Sequence, residues 1–240
     1  MSVLSLQKLV KTYNGRTVVD SVDIEVESRK VVGLLGPNGA GKTTTFYMAA
    51  GLIRPESGRV ILGDEDITPY PIHIRARKGI GYLPQDASIF RKLSVKNNIM
   101  LILETLPLTN AEMETRAEDL MNELGIRHLS ESRASVLSGG ERRRLEITRV
   151  LATNPEFVLF DEPFAGVDPL AVIDIRQIIS HLTDKGIGVL ISDHNVRETL
   201  SVCDNAYIMS NGRVIESGSP EKIATSEIAK KNYLGDTFKL

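Results

Sequence analysis

An α/β fold is what the sequence predicts, on three observations. Short apolar runs of strand length alternate with longer, more polar stretches. A strand, a glycine-rich turn and a helix follow one another over residues 31–51, and the opening segment alternates apolar and polar residues. The 240-residue length fits one large domain or one domain with an inserted lobe. With 42% hydrophobic and 25% charged residues, the composition is ordinary for a globular chain able to bury a sizeable core without staples. The net charge of -2 gives no global pull toward nucleic acid or an anionic membrane. Cys203 is the single cysteine, so no internal disulfide is expected, which suits a reducing compartment. The start Met1-Ser2-Val3-Leu4-Ser5 has no charged residue ahead of an apolar stretch and is not read as a signal peptide. The longest apolar runs, 31–35, 157–160 and 187–191, fall far short of the ~20 residues of a membrane-spanning helix. Any transport role must therefore be shared with another chain.

In order along the chain, segment 3–32 places Val22, Ile24 and Val26 on one face, and Asn14-Gly15 signals a turn between two antiparallel strands. Val31-Val32-Gly33-Leu34-Leu35 is a buried-strand candidate, followed by the glycine-rich turn and a helix over 42–51. Val60-Ile61-Leu62 and Ile80-Gly81-Tyr82-Leu83 read as further strands. Over 93–153 the pattern turns helical and charged, most clearly in 111–124, which marks an inserted helical lobe. Phe157-Val158-Leu159-Phe160 gives a second buried strand, 171–182 a helix, and Gly188-Val189-Leu190-Ile191-Ser192 a third strand. Ala206-Tyr207-Ile208-Met209, an Asn211-Gly212 turn and a helical tail complete the chain.

Three motifs carry chemistry. Gly36-Pro37-Asn38-Gly39-Ala40-Gly41-Lys42-Thr43 has the phosphate-loop spacing, after a strand and before a helix. Its glycines let the backbone curl so that amides face phosphate oxygens, the helix adds its positive end, Lys42 supplies a full charge, and the Thr43 hydroxyl suits Mg²⁺. An ordinary glycine-rich turn is the plain alternative, and the complete pattern in this context argues against it. Asp161-Glu162 ends an apolar strand, which would bring Asp161 beside that loop to hold Mg²⁺, directly or through water. Glu162 would then face the γ-phosphate and orient or deprotonate the attacking water; a strand merely emerging into solvent is the alternative. Leu137-Ser138-Gly139-Gly140-Glu141-Arg142 forms another anion-binding construction at a helix start. A capped helix suffices for that segment alone, but a second cradle beside the first is explained economically if it closes on nucleotide held by a partner chain.

These motifs, in this order, resemble those of ABC transporter ATP-binding subunits over essentially the whole chain. The resemblance implies a RecA-like P-loop ATPase core with an N-terminal antiparallel β subdomain and an inserted α-helical subdomain. It implies one ABC ATPase domain over 1–240: residues 1–86 and 157–240 form the core, the β subdomain and the C-terminal tail, and 87–156 the helical subdomain with the signature. The implied activity is hydrolysis of ATP to ADP and phosphate, coupled to transport, with ATP and Mg²⁺ as cofactors. ATP binding falls to Tyr13, stacked on adenine, and to Gly36, Pro37, Asn38, Gly39, Ala40, Gly41, Lys42, Thr43 and Thr44. Catalysis falls to Glu162, His194, Gln85 and Lys42, and Mg²⁺ to Thr43, Gln85 and Asp161. Ser138, Gly139, Gly140 and Asp168 would contact the ATP of a second copy. Residues just after Gln85, such as Ile89, Phe90 and Arg91, would couple to a membrane subunit. A surface tyrosine, a solvated loop glutamine, a helix-cap aspartate and a core-edge phenylalanine are the bland readings of Tyr13, Gln85, Asp168 and Phe90. His73, His128 and His181 match no motif, and no Cys/His cluster suggests zinc.

Within the family, Gly79-Ile80-Gly81-Tyr82-Leu83-Pro84-Gln85, Arg142-Arg143-Arg144, Asp193-His194-Asn195-Val196-Arg197-Glu198-Thr199-Leu200 and the ending Tyr233-Leu234-Gly235-Asp236-Thr237-Phe238 resemble the subgroup that powers lipopolysaccharide export in Gram-negative bacteria. Branched-chain amino-acid importers share part of this pattern, and a regulatory ABC ATPase without transport is the third reading. The resemblance further implies a homodimer with two transmembrane permease subunits, most similar to the lipopolysaccharide-export type, with no nucleic-acid partner, on the cytoplasmic face of the inner membrane. Three departures stand out: Glu141 for the commoner Gln, Ser28-Arg29-Lys30 for the usual Ser-Gly-Glu, and Thr148-Arg149-Val150 for Ala-Arg-Ala.

Overall fold

Strand β1 (Val3–Tyr13) turns back through Asn14 and Gly15 into β2 (Arg16–Glu27), pairing Tyr13 with Arg16 at the turn and Val3 with Glu27 at the far end. Both turn residues have left-handed backbone, φ 49° and 77°, as a two-residue hairpin requires. The computed structural model describes residues 2–167, 169–235 and 238, with the side chains of Pro169 and Leu170 left aside. The chain divides into two units, Met1–Gln85 with Glu156–Leu240, and Asp86–Pro155.

In the first unit, β3 (Val31–Leu35) leads into α1 (Lys42–Ala50), followed by β4 (Ser57–Leu62), β5 (Glu65–Asp66), α2 (Ile72–Arg77) and β6 (Ile80–Leu83). Strands β1, β2, β4 and β5 make an antiparallel sheet in the order β2-β1-β4-β5. The second sheet takes up β3 and β6 with β7 (Phe157–Asp161), β8 (Gly188–Ser192), β9 (Asn205–Ser210) and β10 (Arg213–Gly218), in the order β10-β9-β3-β8-β7-β6. All its neighbours are parallel except the edge pair β9–β10. Every residue of β3, β7 and β8 is buried, as strands covered on both faces must be, which is why they read as unbroken apolar runs. One apolar cluster joins Leu6, Leu9 and Ile24 of the first sheet, Phe46 and Met48 of α1, and Phe157 and Leu159 of the second. Burial of such side chains contributes about 1.5–3 kcal/mol each. Because β3, β6, β7 and β8 run the same way, the loops after them emerge at one edge, where α/β sheets place their ligands. Helices α6 (Pro169–Asp184), α7 (Val196–Leu200), α8 (Pro220–Thr225) and α9 (Glu227–Ala229) belong to this unit too, once the helices of the second unit are counted in chain order.

Those are α3 (Val95–Leu103), α4 (Asn110–Glu123) and α5 (Gly139–Leu151), packed on one another. Each begins at a side-chain cap, Ser94, Thr109 and Ser138, the last two as full capping boxes with Glu112 and Glu141. Ile99, Leu103, Ala117, Leu120 and Leu145 are among their buried residues. Among the described residues no helix is long and apolar enough to cross a membrane.

Candidate functional site

The loop after β3 depends on two glycines. Gly36 has φ 150° and Gly41 φ 102°, and a Cβ on either would stand 2.2 Å from the Met209 carbonyl oxygen or 2.4 Å from that of Val18. No side chain caps α1 after Gly41, so its first turn presents amides alone. Lys42 is 7% exposed, and its ammonium donates to the carbonyls of Gly36 at 2.6 Å and Pro37 at 3.0 Å. Burial lowers its pKa below the ordinary lysine value, an effect opposed by the nearby carboxylates of Glu162 and Asp193. Thr43 is exposed and Thr44 half-buried, while Pro37, Asn38, Gly39 and Ala40 form the turn itself.

Strand β7 carries Asp161 to its end, where the side chain is 4% exposed. Its Oδ2 accepts from the Tyr82 hydroxyl at 3.2 Å. Burial pushes its pKa up to about 6, helped by the charges of Glu162 and Asp193 and opposed by the Tyr82 hydrogen bond. Glu162 follows in left-handed backbone at φ 49°, fixed by its amide donating to Ser192 O at 2.6 Å. This twist turns its carboxylate toward two neighbours: Oε2 accepts from Gln85 Nε2 at 2.9 Å and lies 3.3 Å from His194 Nδ1. Gln85, Glu162 and His194, from the ends of β6, β7 and β8, thus meet at one oxygen.

Two residues missing from the sequence-based site support His194. Asp193 is fully buried, its Oδ2 accepting from Phe164 N and its Oδ1 from Asn195 N, both at 2.8 Å, and Oδ1 lies 3.6 Å from His194 Nδ1. Burial raises its pKa. The Tyr233 hydroxyl donates to His194 O at 3.4 Å and also engages the Gly36 backbone. Asp193 lies inside a motif the sequence exposes, whereas nothing around Tyr233 ties the tail to the loop.

Thr43, Gln85 and Asp161 make no hydrogen bonds to one another. The donor set still suits Mg²⁺: a hydroxyl and a carboxylate are hard oxygen ligands, and the Glu162 and Asp193 carboxylates, which act on both Lys42 and Asp161, add a negative field that a cation relieves. Among the described residues no three or more His, Cys, Asp or Glu side chains are grouped to hold a metal alone. Tyr13 is 45% exposed, with the Lys11 ammonium 5.5 Å from its ring centre. In the second unit, the Ser138 hydroxyl donates to Glu141 Oε2 at 2.7 Å, and Gly139 and Gly140 open α5. Phe90 is 49% exposed under the Arg149 guanidinium at 4.9 Å, Arg91 is exposed and Ile89 buried. Arg149 also donates to Ser88 O, and buried Asn98 clamps both the N–H and the carbonyl of Phe90. Asp168 lies outside the described residues.

Comparison with known proteins gives a consistent result. The family model described as ABC transporter matches residues 19–165. The lipopolysaccharide export system ATP-binding protein LptB of Escherichia coli strain K12 is 56% identical over 241 residues, covering 100% of both chains. LptB of Haemophilus influenzae is 53% identical, again over 100% of both. Among solved structures, the ADP conformation of MJ1267, an ATP-binding cassette of an ABC transporter, superposes with a TM-score of 0.88 at 29% identity, covering 98% of this chain and 100% of that one.

Proposed function

Since this chain belongs to the ABC transporter family and is one of its ATP-hydrolysing subunits, we propose that it powers extraction of lipopolysaccharide from the inner membrane for transport to the outer membrane. The cargo assignment is supported by the full-length similarity to proteins named for lipopolysaccharide export. The chemical assignment is carried by one observation, the convergence of Gln85 and His194 on Glu162 Oε2.

ATP enters with its phosphates against the amides of the loop, and Lys42 exchanges its carbonyl partners for phosphate oxygens. Tyr13 offers an exposed ring face to adenine. Thr43, Gln85 and Asp161 would hold Mg²⁺, which would supply charge neutralisation at the β- and γ-phosphates. Glu162 accepts a proton from water as that water's oxygen bonds the γ-phosphorus and the bond to the β-phosphate oxygen breaks. Gln85 and His194 fix the carboxylate, and His194 and Lys42 stabilise charge on the transferring group.

Two copies face head to tail, so that Ser138, Gly139, Gly140 and Asp168 of one close on ATP held by the other. The γ-phosphate then bridges the copies, and hydrolysis releases them. Two membrane subunits receive this motion at Phe90 and Arg91, with the ATPase on the cytoplasmic face.

The test is reconstitution with the membrane subunits that co-purify. Wild-type protein is expected to hydrolyse ATP and release lipopolysaccharide from proteoliposomes only with ATP. Glu162→Gln is expected to bind ATP, accumulate as a dimer and do neither, with turnover down by at least ~100-fold. Full turnover by Glu162→Gln would remove the assigned role, and ATP-driven movement of another solute without lipopolysaccharide would remove the cargo.

A further inference from the structure

Tyr82 takes no part in the scheme above, yet its hydroxyl is the side-chain donor on Asp161. Tyr82 pairs with Leu159 across β6 and β7. Leu159 and Asp161, two residues apart, share a face of the sheet, so Tyr82 lies on that face and its phenol reaches diagonally to Asp161. The ring is half-buried and meets Tyr47 of α1 edge-on, with centroids 6.4 Å apart and planes at 88°. This arrangement restrains the ring, so the hydroxyl is held rather than free to wander. Hydrogen bonding to Asp161 occupies Oδ2 and leaves Oδ1 with no side-chain donor among the described residues. A metal-ligating carboxylate needs such a partner to hold its orientation.

We propose that Tyr82 is a positioning residue for the cation: its hydroxyl turns the Asp161 carboxylate so that Oδ1 is the oxygen offered to Mg²⁺ or to a water of its shell. This rests on the Mg²⁺ reading of the site and adds to it a residue outside the loop and the acidic motif. The ring's contact with Tyr47 ties the orientation to α1, the helix that begins with Lys42 and Thr43.

The experiment is calorimetric titration of the full chain with a non-hydrolysable ATP analogue, in EDTA and over a Mg²⁺ series, for wild type, Tyr82→Phe and Tyr82→Leu, with Mn²⁺ binding followed by electron paramagnetic resonance. Tyr82→Phe keeps the ring and its packing and loses only the hydroxyl. The expected result is unchanged affinity in EDTA and a Mg²⁺ and Mn²⁺ requirement about tenfold higher in both variants. Equal cation dependence in wild type and Tyr82→Phe overturns the proposal, and loss in Tyr82→Leu alone assigns the residue to packing. Equal loss with and without cation also overturns it, because the hydroxyl would then act on nucleotide binding in general. If wild type itself gains nothing from Mg²⁺, the Mg²⁺ reading falls and the proposal with it.

Discussion

Asp161 stands where a carboxylate is least comfortable. The carboxyl ends a strand with every residue buried and has two other carboxylates near it. Its ordinary pKa of 3.8 rises to about 6, chiefly through burial. Between those values the folded protein holds more protons than the unfolded one, so stability falls as pH rises through the window. Above it, the folded state carries a poorly solvated charge. Asp161→Asn keeps the size and an acceptor for Tyr82 while removing that charge. The nucleotide-free variant is expected to exceed wild type in stability near pH 7 by about 1–2 kcal/mol, with the advantage fading below about pH 6. Denaturant melts across that pH range check it, and a deficit near pH 7 or an advantage independent of pH contradicts it. Lys42, Asp161 and Glu162 were legible because each follows its motif along the chain. Tyr82 and Tyr233 were not, because their contacts, with Asp161 and with the backbone of His194, join distant segments. Arg29 shows a further limit. It stands where the family usually has glycine, and the turn survives because Arg29 itself adopts φ 67°, which an L-residue does at a cost of about 1–2 kcal/mol.

At the level of elements, α1 is held at both ends by different means. Its start offers amides, while its end is closed by Gly51 at φ 81° and by an arginine from α2. Arg75 is 1% exposed; its Nη1 donates to Met48 O at 2.6 Å and Ala49 O at 2.8 Å, Nε to Tyr70 O at 2.8 Å and Nη2 to Thr68 O at 3.1 Å. Burial lowers its pKa to about 10, still charged near neutrality, and a cation there complements the negative end of the helix. Arg75→Leu strips four acceptors of their donor and is expected to destabilise by about 3–5 kcal/mol. Arg75→Lys recovers only part of this, since one ammonium lacks the planar fork that spans four carbonyls. Equilibrium denaturation checks both, and a Leu variant within about 1 kcal/mol of wild type contradicts the clamp. The fully apolar strands β3, β7 and β8 were plain in the sequence, as were the hairpin turns at Asn14-Gly15 and Asn211-Gly212. Neither α2, with 6 residues, nor β5, with 2, is long enough to show a period. In the run Arg75-Ala76-Arg77-Lys78 nothing marks the first arginine as buried, because the carbonyls that accept from it come from other segments.

For the molecule as a whole, the proposed head-to-tail dimer would depend on what the second unit presents to a facing copy. Ser138 does not offer its hydroxyl freely: its proton goes to Glu141 Oε2 at 2.7 Å, and the Ser138 amide donates to the same oxygen at 2.8 Å. Those two bonds lower the Glu141 pKa, which keeps the carboxylate ionised at neutral pH. In the proposed head-to-tail dimer, a γ-phosphate arriving from the partner would have to take the hydroxyl from a carboxylate of its own sign. Glutamine at this position preserves the capping box and drops the charge. Glu141→Gln, made in the Glu162→Gln background so that ATP persists, is expected to dimerise at about fivefold lower ATP, the scale of one unit-charge repulsion of about 1 kcal/mol in a solvated site. Sedimentation velocity over an ATP series measures this. The gap between the two proteins should narrow as salt rises, since screening weakens an exposed repulsion and leaves the cap intact. Dimerisation at equal or higher ATP in the glutamine variant would mean that Glu141 does not oppose the phosphate, and that the Ser138 cap acts on helix α5 alone.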